Sequence, residues 1–172
     1  MGLLDKIKKI MITLFVSSFL CGLTLTGCST RNNLEVTKIV YIHTSGDIDK
    51  SDVYIFTSDL SLHHQVLTAS FDISNLSQFP LAKEDVLDEE YLTIIENDWE
   101  SIINALKRND FMTLPEKITP SNQGYDYPTY YIYVETDEES HLSGGYGAGQ
   151  GKEEYNRRFE DVRFYIESVI NT

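Results

Sequence analysis

Three observations predict an α+β domain in two layers, an antiparallel sheet of about five strands with two helices packed on one of its faces. Runs of period-2 hydrophobicity recur beyond residue 35, two later stretches carry apolar residues at helical spacing, and polar connections too short for crossovers separate the first strands. The element order is β-β-β-α-β-β-α.

Val36, Lys38, Val40 and Ile42 alternate with Thr37, Ile39, Tyr41 and His43, so both faces of this first strand carry apolar residues, the mark of a central position. Thr44-Ser45-Gly46-Asp47 is turn chemistry, and Val53-Tyr54-Ile55-Phe56 reads as the second strand. A third strand is predicted where Leu67, Ala69, Phe71 and Ile73 alternate with Val66, Thr68, Ser70 and Asp72. Asn75 to Ala82 is a loop. A helix is expected from about Asp88, its acidic start matching the positive end of the dipole, with Ile95, Trp99, Ile102, Ile103 and Leu106 on one stripe. Lys107 and Arg108 in its last turn, Asn109 as a left-handed cap and Pro115 beyond mark its end.

After a loop from Thr119 to Pro128, Thr129 to Glu135 is the fourth strand. It turns at Thr136 to Glu139 into a short fifth strand near Ser140 to Ser143. Gly144 to Gly151 is glycine-rich, and a closing helix from about Lys152 carries Tyr155, Phe159, Val162, Ile166 and Ile170 inward. Glu153 with Arg157 and Glu154 with Arg158 are spaced for helical ion pairs.

Ahead of this domain, residues Met1 to Gly27 read as an export signal, with Lys6, Lys8 and Lys9 in front of an apolar run from Ile10 to Leu23. The run ends at Leu25-Thr26-Gly27-Cys28, and this tetrad resembles the lipobox of bacterial lipoproteins at all four positions. The resemblance implies cleavage before Cys28, a diacylglycerol thioether on its thiol, and acylation of the new amino end. Two or three acyl chains anchor stably where one is marginal. Cys21, the other cysteine, has no small residue directly before it. If Cys28 is lipidated the mature chain has no free thiol, which removes disulfides, thiolate metal sites and cysteine nucleophiles together. The chain then divides into a signal at 1–27, a lipidated tether at 28–34 and one globular domain at 35–172. Ser29 to Leu34 spans at most about 20 Å, which places the domain near the bilayer.

The full chain carries 14 Lys and Arg against 27 Asp and Glu, a formal charge of −13, and loss of the signal makes it more negative by two. Nucleic acid is therefore a poor partner, and a cationic one would be attracted. The 11 tyrosines suit a β-rich core.

No chemical motif stands out. The glycine segment is not a phosphate loop, because Tyr146 occupies the place of the first glycine and Glu153 that of the Ser or Thr. It remains a candidate binding loop through Gly144, Gly145, Tyr146, Gly147, Gly149 and Gly151, against the plainer reading of a connector. Asp47, Asp49 and Asp52 depart from the EF-hand pattern, and adjacent His63 and His64 point to opposite faces of an extended chain, so no metal and no cofactor is expected. Neither a Gly-x-Ser-x-Gly elbow nor a His-Glu-x-x-His helix is present, so no catalytic residue is assigned.

A second, distant resemblance is one of pattern. Tyr41 to Gly46, Ile103 to Leu106 with Phe111 to Pro115, Tyr125 to Tyr127 ahead of Tyr130 to Val134, and the closing helix with Phe159 resemble domains of the emfourin type, inhibitors of thermolysin-like metalloproteases. That kinship implies a protease partner bound through a loop. The sequence expectation is a lipid-anchored extracytoplasmic binding or interaction module, held to the cell membrane through Cys28 and open to a protein partner. The alternatives are a thermolysin-class inhibitor and a cell-envelope hydrolase without a recognisable motif.

Overall fold

The computed structural model describes residues 34–45, 49–68, 73–120 and 126–172. Cys28 and residues 1–27, expected to be an export signal, lie outside them. The described residues belong to a single compact unit running from Leu34 to Thr172.

The structure is α+β: one antiparallel sheet and two helices. The strands are β1 (Val36–Thr44), β2 (Lys50–Thr57), β3 (Ser61–Thr68), β4 (Asp88–Thr93), β5 (Thr129–Thr136) and β6 (Ser140–Tyr146). The helices are α1 (Glu96–Arg108), between β4 and β5, and α2 (Glu154–Ile170), which closes the chain. The sheet has six strands in the order β4-β3-β2-β1-β5-β6, where about five were expected. β1 is central, as its two-sided apolar pattern requires. Chain neighbours form a meander on one side of it, and the β5–β6 hairpin pairs on the other.

The extra strand is β4. Asp88-Glu89-Glu90 reads as the acidic first turn of a helix, yet the segment is extended and pairs with β3 from Val66↔Asp88 to Ser61↔Thr93. Acidic residues suit an exposed sheet edge as well as a helix start, so local preference alone does not separate the two. The helix begins only at Glu96, so Ile95, expected on its buried stripe, precedes it and stands exposed. The third strand also differs from expectation, lying at Ser61–Thr68 and not at Val66 to Ile73; residues 69–72 fall outside the described set. Its polar residues are used in place: Gln65 is fully buried, donating from Nε2 to the Leu81 carbonyl and accepting the Leu81 N–H at Oε1, both at 2.9 Å.

Alternation divides the core in two. Ile39, Tyr41, Phe56, Leu62, Ile132 and Val134 form one cluster with Ile102, Ala105 and Leu106 of α1 and Phe159, Val162 and Ile166 of α2. On the opposite face Val40, Ile42, Val53, Ile55, Leu67 and Tyr133 pack with Leu76 and Phe79. Those last two belong to the segment between β3 and β4, which makes 3-10 turns at Ile73–Gln78 and Lys83–Asp85. A stretch that reads as a loop thus covers the second face of the sheet, and the Gln65 clamp on Leu81 holds it there.

At the end of α1 the left-handed residue is Asp110 (φ 43°), one position after the predicted Asn109. Arg158 is not in an i,i+4 pair with Glu154: its guanidinium donates to the carbonyls of Asn109 and Asp110, each at 2.7 Å, joining α2 to the end of α1. No helix among the described residues is long and apolar enough to cross a membrane.

Candidate functional site

The glycine segment divides between strand and turn. Gly144, Gly145 and Tyr146 complete β6, while Gly147 and Gly149 lie in the turn that follows and Gly151 just before α2. At Gly144, φ is +147°, and a Cβ there would stand 2.2 Å from the Tyr130 carbonyl oxygen. The reason is close backbone approach on both sides. Gly144 pairs with Tyr131 of β5, donates its N–H to the Glu116 carbonyl at 3.1 Å, and accepts from the Ile118 N–H at 2.8 Å. Residues 116–118 thereby cover the β6 edge around Gly144, and Ser143 Oγ adds a bond to the Pro115 carbonyl at 2.7 Å.

The turn is tied from within as well. Fully buried Asn156, in the first turn of α2, accepts the Gly149 N–H at Oδ1 (2.9 Å) and donates from Nδ2 to the Thr119 carbonyl (3.2 Å). Gly147, Ala148 and Gly149 are buried, and Tyr146 is the exposed member of the segment. Its hydroxyl accepts the Tyr127 N–H at 3.0 Å, and the two rings meet edge to face at 5.9 Å.

A second constellation crosses the helix-bearing face. His43 stacks on Tyr130 (5.0 Å between centroids), Tyr130 neighbours Tyr41 (6.3 Å), Tyr41 neighbours Tyr54 (6.2 Å), and Tyr54 stacks on His64 (4.4 Å). Antiparallel register makes this row: His43 sits opposite Tyr130, Tyr41 opposite Tyr54, and Tyr54 opposite His64. From α2, the Arg163 guanidinium lies 4.5 Å from the Tyr130 centroid and bonds both Glu167 oxygens at 2.9 and 3.1 Å. Tyr41 donates its hydroxyl to Glu167 Oε1 at 2.5 Å. At the far end His64 Nε2 meets Asp52 Oδ1 at 3.0 Å. This chemistry was not legible one strand at a time, because its signal is one aromatic on each of several strands in matching register.

The electrostatics of the row follow from burial. Desolvation, then the hydrogen bond to Glu167, push the Tyr41 hydroxyl far above the ordinary tyrosine range. Burial also raises Tyr54 and Tyr130 in the row, and Tyr131 on the opposite face. Burial opposes the charge of Arg163, and Glu167, Tyr130 and Tyr41 together more than restore it. These tyrosines keep their protons near pH 7, and of them Tyr41 donates its hydroxyl to Glu167. What the row does is fasten α2 to the sheet.

The remaining sequence candidates are separated. His63 faces the opposite side from His64, 3.2 Å from Glu89 Oε2 and stacked on Tyr91 at 3.9 Å. Asp52 is taken up by His64, Asp49 is exposed, and Asp47 lies outside the described residues. Among the described residues no group of three or more His, Cys, Asp or Glu side chains is gathered for a metal.

Two surface depressions lie on the helices. One, of about 480 Å³, is lined by Asn109, Arg157, Arg158, Glu160, Asp161 and Phe164. Its charges are partly spent internally, since Asp161 accepts from Arg108 at 2.7 Å and Asn109 at 2.6 Å while Arg158 caps α1. The other, of about 490 Å³, follows one side of α1 along Glu96, Trp99, Glu100, Ile103, Asn104 and Lys107.

The most exposed chemistry is at β4. Tyr91 and Leu92 on this edge strand, with Leu87 just before it and Ile95 just after, stand open to solvent beside Asp88, Glu89 and Glu90. Sequence reasoning placed no site here, because it placed no strand here; the extended, β-branched Thr93-Ile94-Ile95 was the available signal. No protein-family model matches the chain, and no curated protein is detectably similar to it.

Proposed function

We propose that the protein is a lipid-anchored extracytoplasmic binding module. The observation that carries this reading is Leu25-Thr26-Gly27-Cys28, placed directly after a basic front and an apolar run. Val36, the first residue of the central strand, follows Cys28 by only eight positions. A domain so attached works close to the bilayer, on ligands that reach the membrane surface. The binding half of the reading is supported by the exposed apolar residues of the β4 edge and by a charge of −13.

The test is metabolic labelling of the full chain with a radioactive or clickable palmitate in a bacterial host. The parent is expected to take up label, partition into detergent and lose residues 1–27. Cys28→Ser is expected to lose the label and accumulate uncut. Equal labelling of the two, or none in the parent, would remove the anchor from the reading.

A further inference from the structure

The two edges of the sheet are finished differently. β6 is shielded by residues 116–118 around Gly144, whereas β4 has no strand or segment beside it among the described residues. The pattern of hydrogen bonds shows which of its backbone groups are open. Ile94 donates its N–H to the Leu60 carbonyl at 3.0 Å, so alternation in an antiparallel pair turns residues 88, 90 and 92 toward β3. The N–H and C=O groups of Glu89, Tyr91 and Thr93 then point away from the sheet. Asp88 Oδ1 accepts the Glu89 N–H at 2.9 Å, which agrees with that direction and occupies one of the donors. The N–H groups of Tyr91 and Thr93 and the three carbonyls are left for a further strand.

The side chains flanking this edge carry a definite pattern. Asp88, Glu90 and Leu92 alternate toward the helix-bearing face, and Glu89, Tyr91 and Thr93 toward the other. Tyr91 is 71% exposed, Ile95 63%, Leu87 54% and Leu92 43%, so apolar surface brackets the acids at both ends. Glu89 is already engaged by His63 at 3.2 Å and Lys83 at 3.8 Å, while Asp88 and Glu90 have no ion-pair partner among the described residues.

We infer that β4 is a docking edge for an extended, basic segment of a partner protein, which adds a seventh strand to the sheet. Main-chain hydrogen bonds to Glu89, Tyr91 and Thr93 supply the affinity, and alternate side chains supply the selection. In the antiparallel sense of the rest of the sheet, the partner reads apolar, any, basic, any, basic, with its apolar and basic residues on the helix-side face. Those positions meet Leu92, Glu90 and Asp88 in turn. A second copy of this chain is the less suitable occupant: each β4 brings three acids among its six residues, on a chain of charge −13, and like charges across a strand pair repel. The inference deepens the binding reading above by naming the partner's chemistry, and it is independent of the anchor.

The experiment uses the full chain in detergent micelles and fluorescent heptapeptides. The probe is Thr-Leu-Val-Lys-Thr-Lys-Thr, whose valine falls opposite Tyr91. Its first control replaces both lysines with glutamate, and its second carries an N-methyl group on the valine, removing one ladder donor without changing charge. Binding is expected to be at least tenfold weaker for each control than for the probe. Asp88→Lys with Glu90→Lys is expected to reverse the preference between lysine and glutamate peptides. Thr93→Pro, which removes only an outward N–H, is expected to weaken the probe while leaving thermal unfolding nearly unchanged. Equal binding of the N-methylated peptide would reduce the effect to surface charge and overturn the proposal. Absence of binding, or a stable two-copy particle by light scattering that the probe fails to dissociate, would overturn it too. A chain that takes up no palmitate yet binds the probe would lose the anchor and keep the edge, so the two failures are distinct.

Discussion

At Gly144 a hydrogen atom is the largest side chain that the surroundings accept. The residue lies between the β5 backbone and the covering segment, bonded to Glu116 and Ile118, with φ in a region that side chains rarely adopt. Gly144→Ala would push a methyl against the Tyr130 carbonyl and strain the backbone as well. A loss of about 2 to 4 kcal/mol is expected, read as a lower midpoint in urea unfolding. A cost under about 0.5 kcal/mol would mean that the covering segment is free to move aside. The sequence displays the glycine but not this reason for it, since Ile118 is 26 positions away in the chain.

At the scale of elements, α2 is held to the sheet by the Tyr41–Glu167–Arg163 group, and that attachment has a signature in pH. Below about pH 10 Tyr41 keeps its proton in both the folded and unfolded chain, and its contribution is constant. Above that value the unfolded chain releases the proton, while the folded one retains it because burial and Glu167 disfavour the phenolate. Stability therefore falls as pH rises. Tyr41→Phe removes this term, so its stability curve above pH 10 is expected to be shallower than the parent's, by up to about 1.4 kcal/mol per pH unit. Parallel curves in alkaline urea titrations would show that Tyr41 ionises in place. The exchange of a predicted helix start for β4 belongs to this scale as well. Asp88-Glu89-Glu90 satisfies the electrostatics of either element, and His63, lying opposite Tyr91 and bonded to Glu89, selects the strand.

For the whole molecule, the finding of most consequence is that both faces of the sheet are covered. The helices bury one face, and Leu76 and Phe79, from a segment with the composition of a loop, bury the other. Were that segment a surface connection, truncating Leu76 would cost little. Because Leu76 packs in the second cluster, Leu76→Ala is expected to cost about 2 to 4 kcal/mol in urea unfolding, within a single cooperative transition. A small effect, or a separate early transition, would detach the segment from the core. Among the described residues, the large apolar side chains left exposed are Leu87, Tyr91, Leu92 and Ile95 on or beside β4, with Tyr146 and Phe164 elsewhere, and the acids of β4 oppose its pairing with a second copy.

Much of this architecture is written locally. The two-sided apolar alternation of β1 determines a central strand, the glycine and the acidic turns punctuate the β5–β6 hairpin, and the 3.6-residue stripes determine both helices, because each depends on neighbours within a few positions. The sequence alone also holds Leu25-Thr26-Gly27-Cys28, on which the proposed anchor rests. Tertiary structure decided the rest. It set β3 on Ser61–Thr68, where buried Gln65 and His63 find partners in Leu81 and Glu89; it made β4 a strand; and it turned Arg158 from its helical neighbour to the end of α1. In each case local preference was balanced or misleading, and the balance was settled by groups more than ten residues away. A buried polar side chain must be hydrogen-bonded, and only the folded chain brings its partner within reach.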